Sequence, residues 1–370
     1  MTYSSLESEY LIHLLCCAIK KEQPQKAPEN LDWKGLVELS KKQQVYSVIV
    51  PVIDLASVPT EIAQELQMYF QNELLRTLAM KNELEEIEKE LVENEIKYML
   101  LKGCVIRNYY PLQKMRQMSD YDILYDPSKR ENLISLMKKR GFYLKSAEAN
   151  SDDFYKKPYY NFEFHRNLFD ERDAFCPDFD LWKRAKPSGE NKFKYSINDE
   201  DCLIYSLCHT FDHYCVSGCG IRFIVDIYVL LNGLNNLDWN YINKTVEDFG
   251  FADFCKNAIG LSNALFNDKP PTKEEKDLFD FMMSGGIYGT NSISKLIDES
   301  GGSRFKYFIG RIFPPKRQMY ANYPKLKKAP ILLPFYYAFR LIQRAYYNYD
   351  GMKKELKGIK SYHSQDNSRQ

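Results

Sequence analysis

The segment KMRQMSDYDILYD, Lys114 to Asp126, holds two carboxylates within a stretch whose aromatic and β-branched residues predict a β-strand. Side chains alternate across a strand, so Asp120 and Asp122 project from the face opposite to that of Tyr121. Two adjacent carboxylates repel each other, and removing them from water without partners is costly. The carboxylate pair is therefore unfavourable in a strand unless other groups stabilise it.

The composition is that of an ordinary globular protein, with 370 residues, 44% of them hydrophobic and 27% charged. This length allows two or three packed units. The nine cysteines are odd in number and scattered, which favours free thiols in a reducing compartment, and we expect a cytoplasmic protein. The apolar runs LIHLLCCAI and APILLPFYYAF are too short to span a membrane, so no membrane span is expected.

Positive charge is concentrated near the C-terminus, although the net charge is only +1. Fourteen Lys and Arg residues stand against two acidic residues between Arg304 and Lys360, with aromatics interleaved. Such a segment suits an anionic partner, including nucleic acid. The alternatives are docking onto the acidic body of the chain, or a solvated basic face above core aromatics.

The hydrophobic period changes twice along the chain. Helical spacing is predicted before residue 96, strand and helix patterns alternate through the next 90 residues, and helical spacing returns at about Asp199. This order indicates an α+β fold in which helical segments flank a small mixed sheet. Four regions are predicted: an N-terminal helical region (1–95), a catalytic core (96–185), a helical region forming the other wall of a cleft (186–300) and the basic C-terminal segment (301–370).

Two further motifs give the carboxylate pair a chemical setting. Upstream, a short strand runs into Lys102-Gly103 and a helix, where Gly103 permits close approach of a phosphate and Lys102 adds a charge. Downstream, NFEFHRN places Glu163 and His165 on one strand face, so Glu163 is a third carboxylate.

Three carboxylates near a phosphate-binding turn predict a divalent-metal site. Mg²⁺, or Mn²⁺ in its place, is commonly held by a few carboxylates together with substrate phosphates. Asp120, Asp122 and Glu163 are the predicted metal ligands and catalytic residues. The alternative is that Asp120 caps a turn while Asp122 faces solvent on an edge strand.

The stretches LKGCVIRNYY, RQMSDYDILY and FEFH resemble the nucleotidyltransferases of the DNA polymerase β superfamily, in particular a branch of largely uncharacterised bacterial members. The resemblance implies a nucleotidyltransferase-type fold, with Asp120 and Asp122 binding metal and Glu163 completing the triad. The wider superfamily usually has Gly-Ser at the turn where this chain has Lys102-Gly103.

Several more residues are predicted to contact nucleotide. Arg116 and Ser119 precede the carboxylate pair, and the Arg116 guanidinium has the geometry to clamp a triphosphate or, alternatively, to pair with a carboxylate. His209 and His213 share a helix face and are expected to line the cleft. The complete predicted nucleotide-binding set is Lys102, Gly103, Arg116, Ser119, His165, His209 and His213.

The segment CHTFDHYCVSGCG also invites a zinc interpretation through Cys208, Cys215 and Cys219. Its spacing matches no familiar zinc motif, so buried thiols with structural histidines are the preferred interpretation. Farther along, Arg222 and Asp226 are four residues apart and are expected to form a helix ion pair.

The predicted function is metal-dependent transfer of an NMP group from an NTP to an acceptor hydroxyl, with release of pyrophosphate. The acceptor and the base of the NTP are left open; a small molecule, a protein side chain and an RNA end all remain. Two alternatives stand beside this hypothesis. One is a regulatory protein that binds nucleotide without catalysis, and the other is an RNA-interacting, tRNA-modifying protein that uses the basic C-terminal segment.

Overall fold

The structure is a computed structural model, and it describes residues 5–147, 150–168, 179–189, 191–216, 218–267, 269–285, 312–313, 319, 326 and 330–347. Within these residues there are twelve α-helices and one mixed sheet of seven strands, so the predicted α+β class is confirmed. Most of the basic C-terminal segment lies outside the described residues, as does most of the stretch 284–303, where the Gly- and Ser-rich sequence predicts a loop.

Four helices precede the sheet: α1 (Leu6–Lys20), α2 (Trp33–Lys42), α3 (Tyr46–Ile49) and α4 (Thr60–Glu93). Ser5 and Asp32 cap α1 and α2, because their side chains accept hydrogen bonds from backbone N–H groups of the first turn. The long helix α4 agrees with its sequence pattern, and its buried stripe packs against the sheet. That stripe consists of Met80, Leu84, Ile87 and Leu91.

The sheet contains β1 (Tyr98–Leu100), β2 (Tyr121–Tyr125), β3 (Tyr143–Ala147), β4 (Ser151–Lys156), β5 (Tyr160–His165), β6 (Lys186–Ser188) and β7 (Asn191–Ser196). Their spatial order is β3-β4-β5-β2-β1-β7-β6. Strand β2 is central, parallel to β5 and antiparallel to β1. Two short helices, α5 (Gly103–Ile106) and α6 (Arg130–Lys139), flank β2 in the chain.

Two details of the sheet differ from the sequence pattern. Residues 154–160 read as one strand, whereas the structure ends β4 at Lys156 and starts β5 at Tyr160. Strands β6 and β7 were not predicted, and β7 pairs with β1, so the sheet extends past the expected boundary at residue 185. The alternation of Phe193 and Tyr195 with polar residues was the available signal for β7.

The two faces of β2 lie against different neighbours. Tyr121, Ile123 and Tyr125 belong to the hydrophobic cluster shared with α4 and α6. Leu124, on the other face, packs in a smaller cluster with Tyr205 of the following helix α7 (Asp199–Val216). Because Asp122 alternates with Tyr121 and Ile123, its carboxylate projects toward the α7 side of the sheet.

The remaining helices follow the sheet in the chain: α7 (Asp199–Val216), α8 (Arg222–Gly233), α9 (Trp239–Asp248), α10 (Ala252–Phe266), α11 (Lys273–Gly285) and α12 (Leu333–Tyr347). Helices α7 to α11 share a large core with α1 and α3. The N-terminal and C-terminal helical parts therefore pack together beside the sheet. In the described part of the chain, none of the helices is long and apolar enough to cross a membrane.

Candidate functional site

Strand register brings the predicted carboxylates together. Asp122 lies directly opposite Glu163 on the neighbouring parallel strand β5, and Leu124 lies opposite His165. Since paired residues in a sheet project from the same face, Glu163 and His165 line the face that carries Asp122. The aromatic residues of the opposite face, including Phe162 and Phe164, are fully buried and fix this orientation.

Asp122 is buried, and one of its carboxylate oxygens forms hydrogen bonds with two side chains. Its Oδ1 is 2.8 Å from Lys102 Nζ and 2.9 Å from His165 Nε2. Burial raises the pKa of Asp122, but Lys102 and His165 outweigh burial and hold that pKa well below its ordinary value. Burial lowers the pKa of Lys102, while Asp122 raises it, and the net pKa is well above its ordinary value. The pair is therefore charged at neutral pH.

Asp122, Glu163 and His165 form a cluster suited to a metal ion. One potential ligand atom from each residue lies within 4.8 Å of the other two. Among the described residues, neither the second ring nitrogen of His165, Nδ1, nor Asn161 Oδ1 on the same strand has a hydrogen-bond partner, although both atoms are buried. Buried polar atoms normally have partners, so these two indicate a face built for a ligand or for ordered water.

The donor types of this cluster fit a divalent cation. Two carboxylates match the oxygen preference of Mg²⁺, while imidazole better suits Mn²⁺ and other transition metals. His165 was predicted as a nucleotide contact; its position beside Asp122 adds a candidate metal ligand that the sequence reasoning missed. The signal was present in the sequence, because His165 is two residues from Glu163 and shares its face.

Asp120 lies one residue before β2 and outside the three-residue cluster. It is half-buried, and burial together with the negative charge of Asp122 raises its pKa to about 6. The contribution of Asp122 shows that the two carboxylates interact electrostatically. Asp120 therefore adds negative charge to the same side of the strand.

The Lys102-Gly103 turn lies next to Asp122. Lys102 adopts a positive φ of 46°, uncommon for a residue with a side chain, immediately before α5. A Cβ atom at Gly103 would lie 3.1 Å from Arg116 Nη1 and 3.2 Å from Met118 Cε. Gly103 thus gives room to side chains of the following loop, a structural requirement beside its predicted contact with phosphate.

Arg116 is buried and its guanidinium faces Asp226 of α8. Arg116 Nε and Nη2 each donate to an Asp226 oxygen at 2.8 Å, and Tyr110 Oη donates to Asp226 Oδ1 at 2.7 Å. Arg222, the expected partner of Asp226, donates from Nη1 to Gln44 Oε1. The bidentate geometry anticipated for Arg116 is therefore present, but with a protein carboxylate as the acceptor.

Ser119 is exposed, and its carbonyl oxygen accepts a hydrogen bond from Arg76 Nη2 at 2.7 Å. Arg76 Nη1 also donates to the carbonyl oxygen of Met118. Helix α4 thereby holds the backbone just before Asp120 and Asp122. Arg76 was not singled out in the sequence, because nothing local distinguishes it from the other charged residues of α4.

Helix α7 packs on the face of the sheet that carries Asp122, where its Tyr205 meets Leu124. Tyr205, His209 and His213 are spaced by four residues and share a helix face. Burial and the positive charge of Lys102 lower the pKa of His213 to about 4, and that of His209 falls well below its ordinary value for the same two leading reasons. Both imidazoles are therefore neutral at pH 7. Tyr205, missed in the sequence, is buried, and burial raises its pKa, with smaller contributions from the charges of Lys102, Asp122 and Glu163.

The described cysteines on α7 and just after it are part of the core. Cys202, Cys208 and Cys219 are buried and belong to the large helical cluster. The side chain of Cys215 lies outside the described residues. The cysteine positions agree with the preferred interpretation of buried thiols.

Comparison with known proteins gives the family. The family model described as "Uncharacterised nucleotidyltransferase" matches residues 29–267, which contain the sheet, the carboxylate cluster and α7. The chain belongs to this nucleotidyltransferase family. A comparison with curated proteins finds no match.

One solved structure is similar to this nucleotidyltransferase-family chain over a limited part. It is the crystal structure of an antigenic nucleotidyltransferase-like protein from Paracoccidioides brasiliensis. The match has 14% sequence identity and a TM-score of 0.31, and covers 48% of this chain and 92% of the other.

Proposed function

We propose that this protein is a Mg²⁺- or Mn²⁺-dependent nucleotidyltransferase that transfers an NMP group from an NTP to an acceptor hydroxyl. The observation that carries the proposal is the pairing of Asp122 with Glu163 on adjacent parallel strands, with His165 in the same cluster. Family membership supports an NTP as the substrate. The reaction forms a bond between the acceptor oxygen and the α-phosphorus, and breaks the bond from that phosphorus to the leaving pyrophosphate.

Asp122 and Glu163 are the proposed metal ligands, with Asp120 adding a third carboxylate. A bound divalent cation would supply charge neutralisation at the reacting phosphate oxygens. Asp122 is ionised at neutral pH because its pKa is depressed, so protons do not compete for this ligand. Glu163, the more exposed of the pair with a side chain 25% accessible, is proposed to accept the acceptor's hydroxyl proton.

The neighbouring residues are proposed to hold the nucleotide. Lys102 and the Gly103 turn contact the phosphates in this proposal, since Lys102 carries the positive charge nearest to Asp122. The exposed hydroxyl of Ser119 is a further proposed contact. Neutral His209 and His213 offer hydrogen bonds to an uncharged base or ribose. Arg116 contributes indirectly, by fixing the loop before β2 to α8.

One observation favours a second candidate, nucleotide binding without catalysis. The Lys102 ammonium is 2.8 Å from Asp122 Oδ1, where it provides positive charge that a cation would otherwise supply. A protein that keeps this pair closed would have no need of a catalytic cation and would bind nucleotide without transferring it. The RNA-interacting alternative depends on the basic C-terminal segment, which lies mainly outside the described residues.

The test is incubation of the purified protein with each α-labelled NTP and Mg²⁺ or Mn²⁺, alone and with cell extract as a source of acceptors. D122N and E163Q are compared with wild type and with E131Q, a control at a side chain 87% exposed on α6. Wild type and E131Q should transfer label, and D122N and E163Q should lose at least about 100-fold of the rate, the usual scale for lost transition-state electrostatics.

Equal transfer by D122N, E163Q and wild type would refute the proposal. Nucleotide binding by wild type with no labelled product in any extract would instead support the non-catalytic candidate. Salt-sensitive binding of RNA by the full chain would support the third candidate.

A further inference from the structure

A cavity lies on the far side of β2 from Asp122. It has a volume of about 200 Å³ and is lined by α4, β1, α5, the segment after α5 and Tyr121 of β2. Tyr121 and Asp122 are consecutive and project from opposite faces, so this cavity is separated from the carboxylate cluster by the sheet. Nothing in the proposed reaction uses it.

The floor of the cavity contains a charged residue, Arg107, for which the described part of the chain supplies no counter-ion. Arg107 is only 7% exposed, and its Nη1 donates to Tyr121 Oη at 2.8 Å and lies 3.9 Å from Met118 Sδ. Its Nε is buried and has no hydrogen-bond partner among the residues that the structure describes. Within the part of the chain that the structure describes, Arg107 forms no ion pair, unlike the equally buried Arg116.

The two glutamates that line the cavity each already pair with a lysine. Lys81 is 3.7 Å from Glu85, and Lys194 is 2.6 Å from Glu88, so each lining glutamate has a cation of its own. A buried guanidinium without a counter-ion is costly, and such groups normally pair with a carboxylate or with a ligand. Arg107 is therefore the positive charge at this cavity for which the described residues provide no counter-ion.

The rim of the cavity is exposed to solvent and its floor is buried. Lys81 and Glu85 are each 52% exposed, and Asn108 and Gln113 are also exposed, with Gln113 Nε2 donating to Asn108 Oδ1 at 2.9 Å. The buried side chains of Leu84 and Cys104 line the floor beside Arg107. A site for one water needs only roughly 10–15 Å³, so a cavity of about 200 Å³ is large enough for a small polyatomic anion.

We propose that this cavity binds a small oxyanion, a phosphate or carboxylate group whose charge is balanced by Arg107. The rim amides of Asn108 and Gln113 supply polar contacts, and Lys81 attracts the anion at the mouth. Arg107 reaches the strand of the carboxylate cluster through its hydrogen bond to Tyr121. The site is independent of the proposed nucleotidyl transfer.

The test measures thermal stabilisation and calorimetric binding with inorganic phosphate, malonate or chloride at constant ionic strength, in the presence of EDTA. Phosphate or malonate should stabilise wild type more than chloride does, and R107M should bind at least tenfold more weakly. K114M is the matched control, because Lys114 lies in the same connection, over Phe70 and outside the cavity. Phosphate and malonate distinguish the two kinds of oxyanion.

Three results would overturn the proposal: folded R107M binding like wild type, no anion exceeding chloride, or loss of binding in K102M. The last would assign the anion to the turn beside Asp122. If R107M fails to fold, K81E provides the test, because Lys81 is exposed and reversing its charge should weaken anion binding. Unchanged anion binding by K81E would count against the site.

Discussion

Asp122 and Asp226 are both buried carboxylates paired with a cation, but their surroundings differ. Asp226 accepts two 2.8 Å hydrogen bonds from Arg116 and one from Tyr110, and this joins the loop before β2 to α8. Asp122 has Lys102 and His165 on a single oxygen, with Glu163 opposite and Asp120 nearby. One group is balanced charge for charge, while the other has three carboxylates beside one lysine.

This difference separates a structural ion pair from a candidate binding site. A buried pair with complete hydrogen bonding leaves nothing for a ligand to satisfy. A surplus of carboxylates in a buried place destabilises the fold unless a cation joins them. Four variants test the contrast, beginning with the largest expected effect.

The largest effect is expected for D226N, which leaves the Arg116 guanidinium buried without a counter-charge. Breaking a buried ion pair costs about 3–5 kcal/mol. Chemical denaturation should show a loss of unfolding free energy of this size. A loss under about 1 kcal/mol would show that the Arg116–Asp226 ion pair does not stabilise the fold in the way that its geometry indicates.

D122N should destabilise the metal-free protein by less than half as much as D226N. The substitution removes a partner of Lys102 but also relieves repulsion with Asp120 and Glu163, which remain near the lysine. The measurement is the same denaturation in EDTA. If both variants lost equal stability, the Asp122 cluster would be as structural as the Arg116–Asp226 pair.

K102M should increase the affinity of the carboxylate cluster for divalent cations. Without the ammonium at 2.8 Å from Asp122, the carboxylates lose the cation that pairs with them in this structure. We expect Mn²⁺ to bind about tenfold more tightly to K102M than to wild type, ~1.4 kcal/mol more favourably. Mn²⁺ titrations with a thermal readout check this, and equal stabilisation of both proteins would contradict it.

The smallest effect concerns pH and Asp120. Its folded-state pKa of about 6 is above the ordinary value of 3.8, so its contribution to stability is present below the ordinary pKa and is lost as pH rises through 6. In EDTA, D120N should therefore be more stable than wild type at pH 7.5, with the difference vanishing near pH 4. A difference that is constant with pH would contradict the raised pKa.

Local patterns were enough to predict much of this molecule. The helical stripe of α4 and the alternation in β2 and β5 are short-range signals, and both elements are present. The same alternation placed Glu163 and His165 on one face, and the strand register then brought that face beside Asp122. Polar strand β6, with Lys186 and Ser188, carried too few apolar residues to be recognised.

Contacts between residues far apart in the chain could not be predicted from the sequence. Arg116 and Asp226 are 110 residues apart, and no local spacing links them, whereas Arg222 lay at a familiar helical distance and was the expected partner. The same limit applies to Tyr205 and Arg76, whose positions near the carboxylates depend on how α7 and α4 pack against the sheet. Such contacts are set by tertiary packing, which single-sequence periodicity does not contain.

Direct measurement of Mn²⁺ binding tests the central claim, that the carboxylate surplus beside Asp122 is a cation site. Electron paramagnetic resonance of free Mn²⁺ should show binding to wild type and to the control E131Q. The double variant D122N/E163Q, shown to be folded by circular dichroism, should bind at least about 100-fold more weakly, since both carboxylate ligands of the cluster are gone. Equal Mn²⁺ binding by the double variant and wild type would contradict the claim.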